Sequence, residues 1–143
     1  MLLPDVNILL YAFRQDSADH ARYRRWLESH LSGDEPIGIS ELALSGAVRI
    51  MTNHRAYSQP STPEAAFALC EEVLASPAAV PLRPGPRHWS IFAGLCRSTR
   101  VRANDVADAY HAALAVENGA ILVTNDSGFR RFPGLRVEPP QLS

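Results

Sequence analysis

Short apolar runs, each closed by a polar or acidic residue and followed by a segment of helical period, recur along this chain. Met1-Leu2-Leu3-Pro4 is the first, ending in Asp5-Val6-Asn7, after which Ile8, Leu9, Leu10 and Phe13 continue as a helix. Residues 17–31 read as an amphipathic helix with Ala21, Tyr23, Trp26, Leu27 and Leu31 facing the core and Arg22, Arg24 and Arg25 outside. Ile37-Gly38-Ile39 is a second short strand, and Ser40 caps a helix whose first residue is Glu41. From Thr52 to Pro63 the polar, Pro-containing composition predicts a loop, with Thr62 capping the next helix and Pro63 opening it. That helix runs to Ala75. Ala79–Leu82 is a strand that Pro81 limits to an edge or a strand end. Pro86–Ser98 forms another helix, burying Trp89, Phe92 and Leu95.

The stretch Val101–Phe129 holds the pattern in its clearest form. Asn104 is placed as an N-cap, Asp105 falls in the first turn where the helix dipole favours a carboxylate, and Gly119 stops the helix. Ala120–Val123 is then an apolar run short enough for a strand buried on both faces, and it ends at once in Thr124-Asn125-Asp126. Phe129, Phe132 and Leu135 pack a turn, and Arg136-Val137 is a last edge strand. Strands alternating with helices predict an α/β domain with a parallel sheet, spanning residues 1–143 as one unit.

Composition narrows the function. Hydrophobic residues make up 46% and charged residues 20%, the balance of an ordinary globular protein, and the net charge of −1 gives no global attraction to nucleic acid. All 14 basic residues are arginine. The missing lysine excludes a Walker A loop, a Schiff-base enzyme, a receiver domain and a haloacid-dehalogenase-like phosphatase, each of which depends on one. Cys70 and Cys96 stand apart, without metal-ligand or redox spacing, and read as reduced thiols. With no signal peptide and no membrane span in view, the expected compartment is the cytoplasm.

Four acids stand at comparable places: Asp5, Glu41 and Asp126 at strand ends, and Asp108 in a helix that reaches the same crevice. In an open α/β sheet, ligands bind beyond the carboxyl ends of the strands. Asp5 alone is equally a helix N-cap, and Glu41 alone reads first as a dipole-compensating opening residue, gaining weight only as the third acid at such a junction. Together the acids repel one another unless a cation neutralises them or some protonate. Oxygen ligands suit Mg²⁺, or Mn²⁺ in its place, and such sites activate water for attack on a phosphodiester. Zinc fits less well, since the five histidines show no tight pairing.

These residues resemble the PIN-domain ribonucleases, in particular the VapC-type toxins of bacterial toxin–antitoxin pairs. The resemblance rests on Leu3-Pro4-Asp5-Val6-Asn7, Ser40-Glu41-Leu42, Asp108-Ala109-Tyr110-His111-Ala112-Ala113, Gly119–Phe129 and the closing Arg-Phe-Pro-Gly-Leu, in this order over nearly the whole chain. It implies a three-layer α/β/α PIN-like fold around a central, mostly parallel sheet, and a Mg²⁺-dependent endoribonuclease that hydrolyses RNA with a metal-activated water. By the same resemblance Asp5 and Asp108 are metal ligands, Glu41 and Asp126 complete the acidic site, and Asn7 and Thr124 orient the carboxylates. It also implies a homodimer and a cognate VapB-like antitoxin. Asp105, one turn before Asp108, is a further possible member of the site, although a first-turn acid more often compensates the dipole. His111 stands where the family commonly has an apolar residue and is read as a helix residue with a polar edge. Two other readings remain: a PIN-type RNA-processing nuclease without an antitoxin, and a catalytically silent PIN-fold RNA-binding module.

Overall fold

Strand β1 (Leu2–Pro4) is the middle of the sheet, which is why its run is apolar throughout. In the computed structural model, which describes residues 1–143, β1 is followed by α1 (Val6–Phe13), α2 (His20–Leu31), β2 (Ile37–Ser40), α3 (Glu41–Met51) and α4 (Pro63–Leu74). The chain continues through β3 (Ala79–Leu82), α5 (His88–Thr99), α6 (Asn104–Glu117), β4 (Ile121–Val123), a 3₁₀ turn (Ser127–Arg131) and β5 (Arg136–Glu138). The five strands lie in the order β3-β2-β1-β4-β5, and every neighbouring pair is parallel. The sheet is thus wholly rather than mostly parallel. No helix is long and apolar enough to cross a membrane.

Alternation along the strands sends side chains to opposite faces, and each face has its own core. Ile37 and Ile39 of β2 pack with α1, α2, α3 and α4 through residues such as Ile8, Trp26, Ala47 and Val73. Leu3 and Leu122 pack on the other face with Leu95 of α5, the alanines of α6, Phe129 and Phe132. Helices on both faces make three layers. Pro81 sits on the edge strand β3, where its missing N–H costs no ladder bond inside the sheet. Ser40 and Thr62 cap their helices as expected, accepting from the N–H groups of Ala43 and Ala65, each at 3.1 Å. Gly119 closes α6 at φ 62°, a left-handed conformation that favours glycine.

Four local expectations need correction. Helix α2 begins at His20, not at Ser17, because Asp19 takes a left-handed φ of 57° and the Ser17–Asp19 segment turns before it. Ala21 is exposed rather than in the core. Helix α5 begins at His88, and of its expected buried residues Leu95 and Phe92 do face the core, but Trp89 is 71% exposed and His88, 2% exposed, is buried in its place. Histidine enters the core because its Nε2 bonds the Tyr110 carbonyl at 2.9 Å and its ring meets the Tyr110 ring edge-on at 4.3 Å. Asn104 is inside α6, and the cap position is taken by Ala103 with φ 52° and no side-chain bond. There the first N–H groups are satisfied by backbone instead, Asp105 donating to the Arg102 carbonyl and Val106 to that of Ala103.

Candidate active site

The strand order reverses direction between β1 and β4: from β1 the chain builds outward through β2 and β3, and from β4 through β5. Beyond the carboxyl ends of two such strands an open α/β sheet has its crevice. Pro4 is in register with Val123, so the next residues, Asp5 and Thr124, stand side by side at the rim. The Thr124 hydroxyl donates to Asp5 Oδ2 at 2.8 Å, and Thr124 Oγ1 in turn accepts the Asp126 N–H at 3.0 Å. Asp5 Oδ1 accepts the Val6 N–H at 2.7 Å, so Asp5 is at once the N-cap of α1 and a crevice carboxylate. It is 8% exposed, and its carboxylate oxygens keep further lone pairs for a ligand. Asn125 donates to the Tyr23 hydroxyl at 2.7 Å, tying this rim to α2.

Asp126 heads the 3₁₀ turn, its Oδ1 accepting the Gly128 N–H at 2.8 Å. That turn carries Arg131 to α6, where Nη2 lies 3.2 Å from Asp108 Oδ2 and 3.6 Å from Asp105 Oδ1. Partial burial pushes the Asp108 carboxyl above its ordinary range; Arg131 pulls it down, while Asp126, Asp105 and Asp5 push it further up. Three aspartates therefore act on a fourth, with one guanidinium among them. Asp5 and Asp126 have no ion-pair partner of their own.

Glu41 is placed differently. Ser40 is in register with Leu82, so Glu41 and Arg83 emerge as neighbours from β2 and β3. Arg83 clasps Glu41 through both carboxylate oxygens, with the Nη2 to Oε2 bond at 2.9 Å. This holds the Glu41 carboxyl below its ordinary range. The charges of Asp5, Asp105 and Asp126 act on Asp108, while Glu41 stands at the end of the neighbouring strand β2, paired with Arg83. Asn7 is exposed and its side chain bonds to none of the acids. Of the two expected orienting residues, Thr124 alone touches a carboxylate. His111, one turn after Asp108, lines a cavity of about 460 Å³ with Val6, Gly46, Phe92 and Tyr110. Burial lowers its imidazole pKa, which the Asp5 charge partly offsets.

Arg131 was not legible as a site residue. The only signal was a pair of arginines four and five residues beyond Asp126, and nothing in the local pattern says which of Arg130 and Arg131 turns inward. The arginines of α2 go elsewhere. Arg22 pairs with Asp19 and Arg24 with Glu28, and Arg24 borders a groove lined by Phe13, Leu27 and Leu69.

A divalent cation meets a fitting donor set here. The donors around Asp108 are carboxylate oxygens, with no cysteine and no histidine bonded to them, the choice of a hard ion. No three acidic, imidazole or thiol side chains converge closely enough to enclose a metal. Mg²⁺ needs no such cage, since it is held by one or two carboxylates and keeps several waters.

The PIN domain family matches residues 2–135. VapC ribonuclease Mb2897 of Mycobacterium bovis is 44% identical over 140 residues, covering 98% of this chain and 95% of that protein. Ribonuclease VapC43 of Mycobacterium tuberculosis matches to the same extent, 44% over 140 residues with the same coverage. Among solved structures, VapBC2 from Rickettsia felis, bound to a DNA fragment from its promoter, superposes with a TM-score of 0.71 at 19% identity. That match covers 99% of this chain and 98% of the other.

Proposed function

The chain belongs to the PIN-domain family, and we propose that it is a Mg²⁺-dependent endoribonuclease, with Mn²⁺ able to substitute, acting as the toxin of a toxin–antitoxin pair. Its substrate is RNA, its partners are a VapB-like antitoxin and a second copy of itself, and its compartment is the cytoplasm. The observation that carries this reading is the gathering of Asp5, Asp108 and Asp126 beyond the carboxyl ends of β1 and β4, where the strand order reverses. Support comes also from the ribonuclease relatives, which this chain spans almost end to end.

In this reading Asp5 and Asp108 would hold the cation, and Glu41 and Asp126 would complete the acidic site. When bound, a hard divalent ion would supply the charge that acidifies water and offsets charge building on a phosphodiester. The chain's own residues do the rest. Thr124 and the Val6 N–H fix the orientation of Asp5, so its charge needs no rearrangement when ligand arrives. Asp126 is held by the Gly128 N–H with one oxygen, leaving its other oxygen for a water or a phosphate-bound proton.

The test is cleavage of RNA by purified protein with Mg²⁺, with Mn²⁺ and with excess EDTA. Cleavage with either ion, none with EDTA, and 5′-phosphate product ends are expected. Activity surviving EDTA, or 2′,3′-cyclic phosphate ends, would overturn the mechanism.

A further inference from the structure

The guanidinium of Arg131 sits on the same carboxylate that the proposed metal requires. We infer that Arg131 is an exchangeable counter-ion of the crevice: it neutralises Asp108 and Asp105 while no divalent ion is bound, and turns to an RNA phosphate when one is. The inference rests on reading the crevice as a metal-dependent RNA-cleaving site.

Four observations carry it. Arg131 is the one basic side chain paired with any acid of the Asp5–Asp105–Asp108–Asp126 group, and it bridges two of them through a single nitrogen, Nη2. A bridge of that kind, at 3.2 and 3.6 Å, lacks the two-point clasp seen between Arg83 and Glu41. The contact is also open to water: the Arg131 side chain is 35% exposed and those of Asp108 and Asp105 are 34% and 55%. Ion pairs so exposed are weakly held. Finally, the guanidinium lies over the Phe132 ring, with its carbon 4.9 Å from the ring centre, and Phe132 is buried. The ring supports Arg131 through a non-directional contact while its N–H groups change partners.

The exchange has a chemical consequence. A dication on Asp108 competes with one guanidinium for the same oxygen, and the displaced guanidinium keeps only its longer contact, 3.6 Å, to the more exposed Asp105, leaving its other N–H groups for a substrate phosphate. Arginine is the side chain suited to a phosphate, offering up to five N–H donors in a planar fork. A protein of net charge −1 thereby keeps its positive potential masked until the ion that serves cleavage has arrived. Metal and RNA become coupled ligands, each favouring the other.

The experiment has two readouts. The first is Mn²⁺ titrated into metal-free protein without RNA, followed by electron paramagnetic resonance, for wild type, Arg131→Gln and Arg131→Lys. Arg131→Gln is expected to bind Mn²⁺ about five-fold tighter or more, because the internal competitor is gone. Arg131→Lys keeps the charge and should stay near wild type. The second is affinity for a fluorescent single-stranded RNA whose integrity is checked on a gel, with Ca²⁺ and with EDTA. Ca²⁺ should strengthen binding by wild type, and Arg131→Gln should lose that gain together with about 0.7 of the salt slope. The triple variant Arg22→Gln, Arg24→Gln, Arg25→Gln should match wild type in both. Unchanged or weaker Mn²⁺ binding by Arg131→Gln overturns the exchange while leaving the metal site standing. Wild type that binds neither Mn²⁺ nor RNA overturns the parent reading. Should Arg131→Gln fail to fold, as judged by circular dichroism, the RNA readout passes to Arg131→Lys. Lysine lacks the planar fork, so a loss of at least part of the Ca²⁺-dependent gain is expected, and full retention overturns the role.

Discussion

Thr124 donates its hydroxyl proton to Asp5 Oδ2 at 2.8 Å across 119 residues of chain, joining the carboxyl ends of β4 and β1. Both residues are buried, so neither group has water as a ready substitute. Thr124→Val keeps the shape and removes the donor. It should destabilise the fold by about 1–3 kcal/mol, the cost of an unsatisfied buried acceptor, and lower cleavage by freeing Asp5 to reorient. Thr124→Ser should recover most of both. Urea denaturation and cleavage rates on the two variants check this; a valine variant as stable and active as wild type would show that the bond is idle.

Asp108 and Asp105 share Arg131, and burial with three other aspartates pushes the Asp108 carboxyl up. Asp108→Asn should abolish cleavage while the metal-free protein melts at an equal or higher temperature, since a repelled charge has gone. Asp105→Asn should keep most of the activity and cost at most about 1 kcal/mol through weaker first-turn compensation of the α6 dipole. An inactive Asp105→Asn beside an active Asp108→Asn would exchange the roles of these two residues.

Glu117 at the end of α6 clamps the loop leading into α5, accepting the N–H groups of Gly85 at 2.8 Å and Arg87 at 3.0 Å. Burial pushes its carboxyl up, but those two bonds, with the His88 and Arg87 charges, outweigh it and hold the pKa below the ordinary value. A depressed folded pKa means stability present above the unfolded pKa and lost as pH falls through the folded one. The Glu117→Gln variant should therefore melt below wild type at pH 7, the gap closing as pH falls below about 4. A gap that persists undiminished to pH 3 would trace the difference to something other than charge.

Gly38 lies in the middle of β2, where a Cβ would stand 2.7 Å from Leu82 Cδ1 and 3.3 Å from the Leu2 carbonyl oxygen. Leu82 is itself packed into the core with Leu3 and Leu95, leaving it little room to yield. Gly38→Ala should cost about 1–3 kcal/mol by overpacking. Chemical denaturation measures it, and an alanine variant of wild-type stability would mean that Leu82 has an alternative rotamer.

Much of this protein was legible in its sequence because the signals are local. An apolar run ended by a polar residue marks a buried strand wherever it lies, and Ser40, Thr62 and Gly119 act on backbone groups within three residues of themselves. Even the meeting of Asp5 with the end of β4 was within reach, since both follow short buried strands in a parallel sheet. Where local signals misled, a partner from elsewhere had intervened. Tyr110 drew His88 into the core and left Trp89 in water, and a left-handed turn with backbone bonds replaced Asn104 as the cap of α6. The ionic partners lay beyond any local rule. Glu41 is bound by Arg83 only because β2 and β3 run side by side in a register that brings 40 opposite 82. Arg131 reaches Asp108 only because the turn after β4 folds back over α6. Charge interactions depend on distance in space, and long flexible side chains can choose among several partners. The sequence by itself determined which acids line the strand ends; the tertiary structure decided which of them share a crevice and which arginine Glu41 and Asp108 each meet.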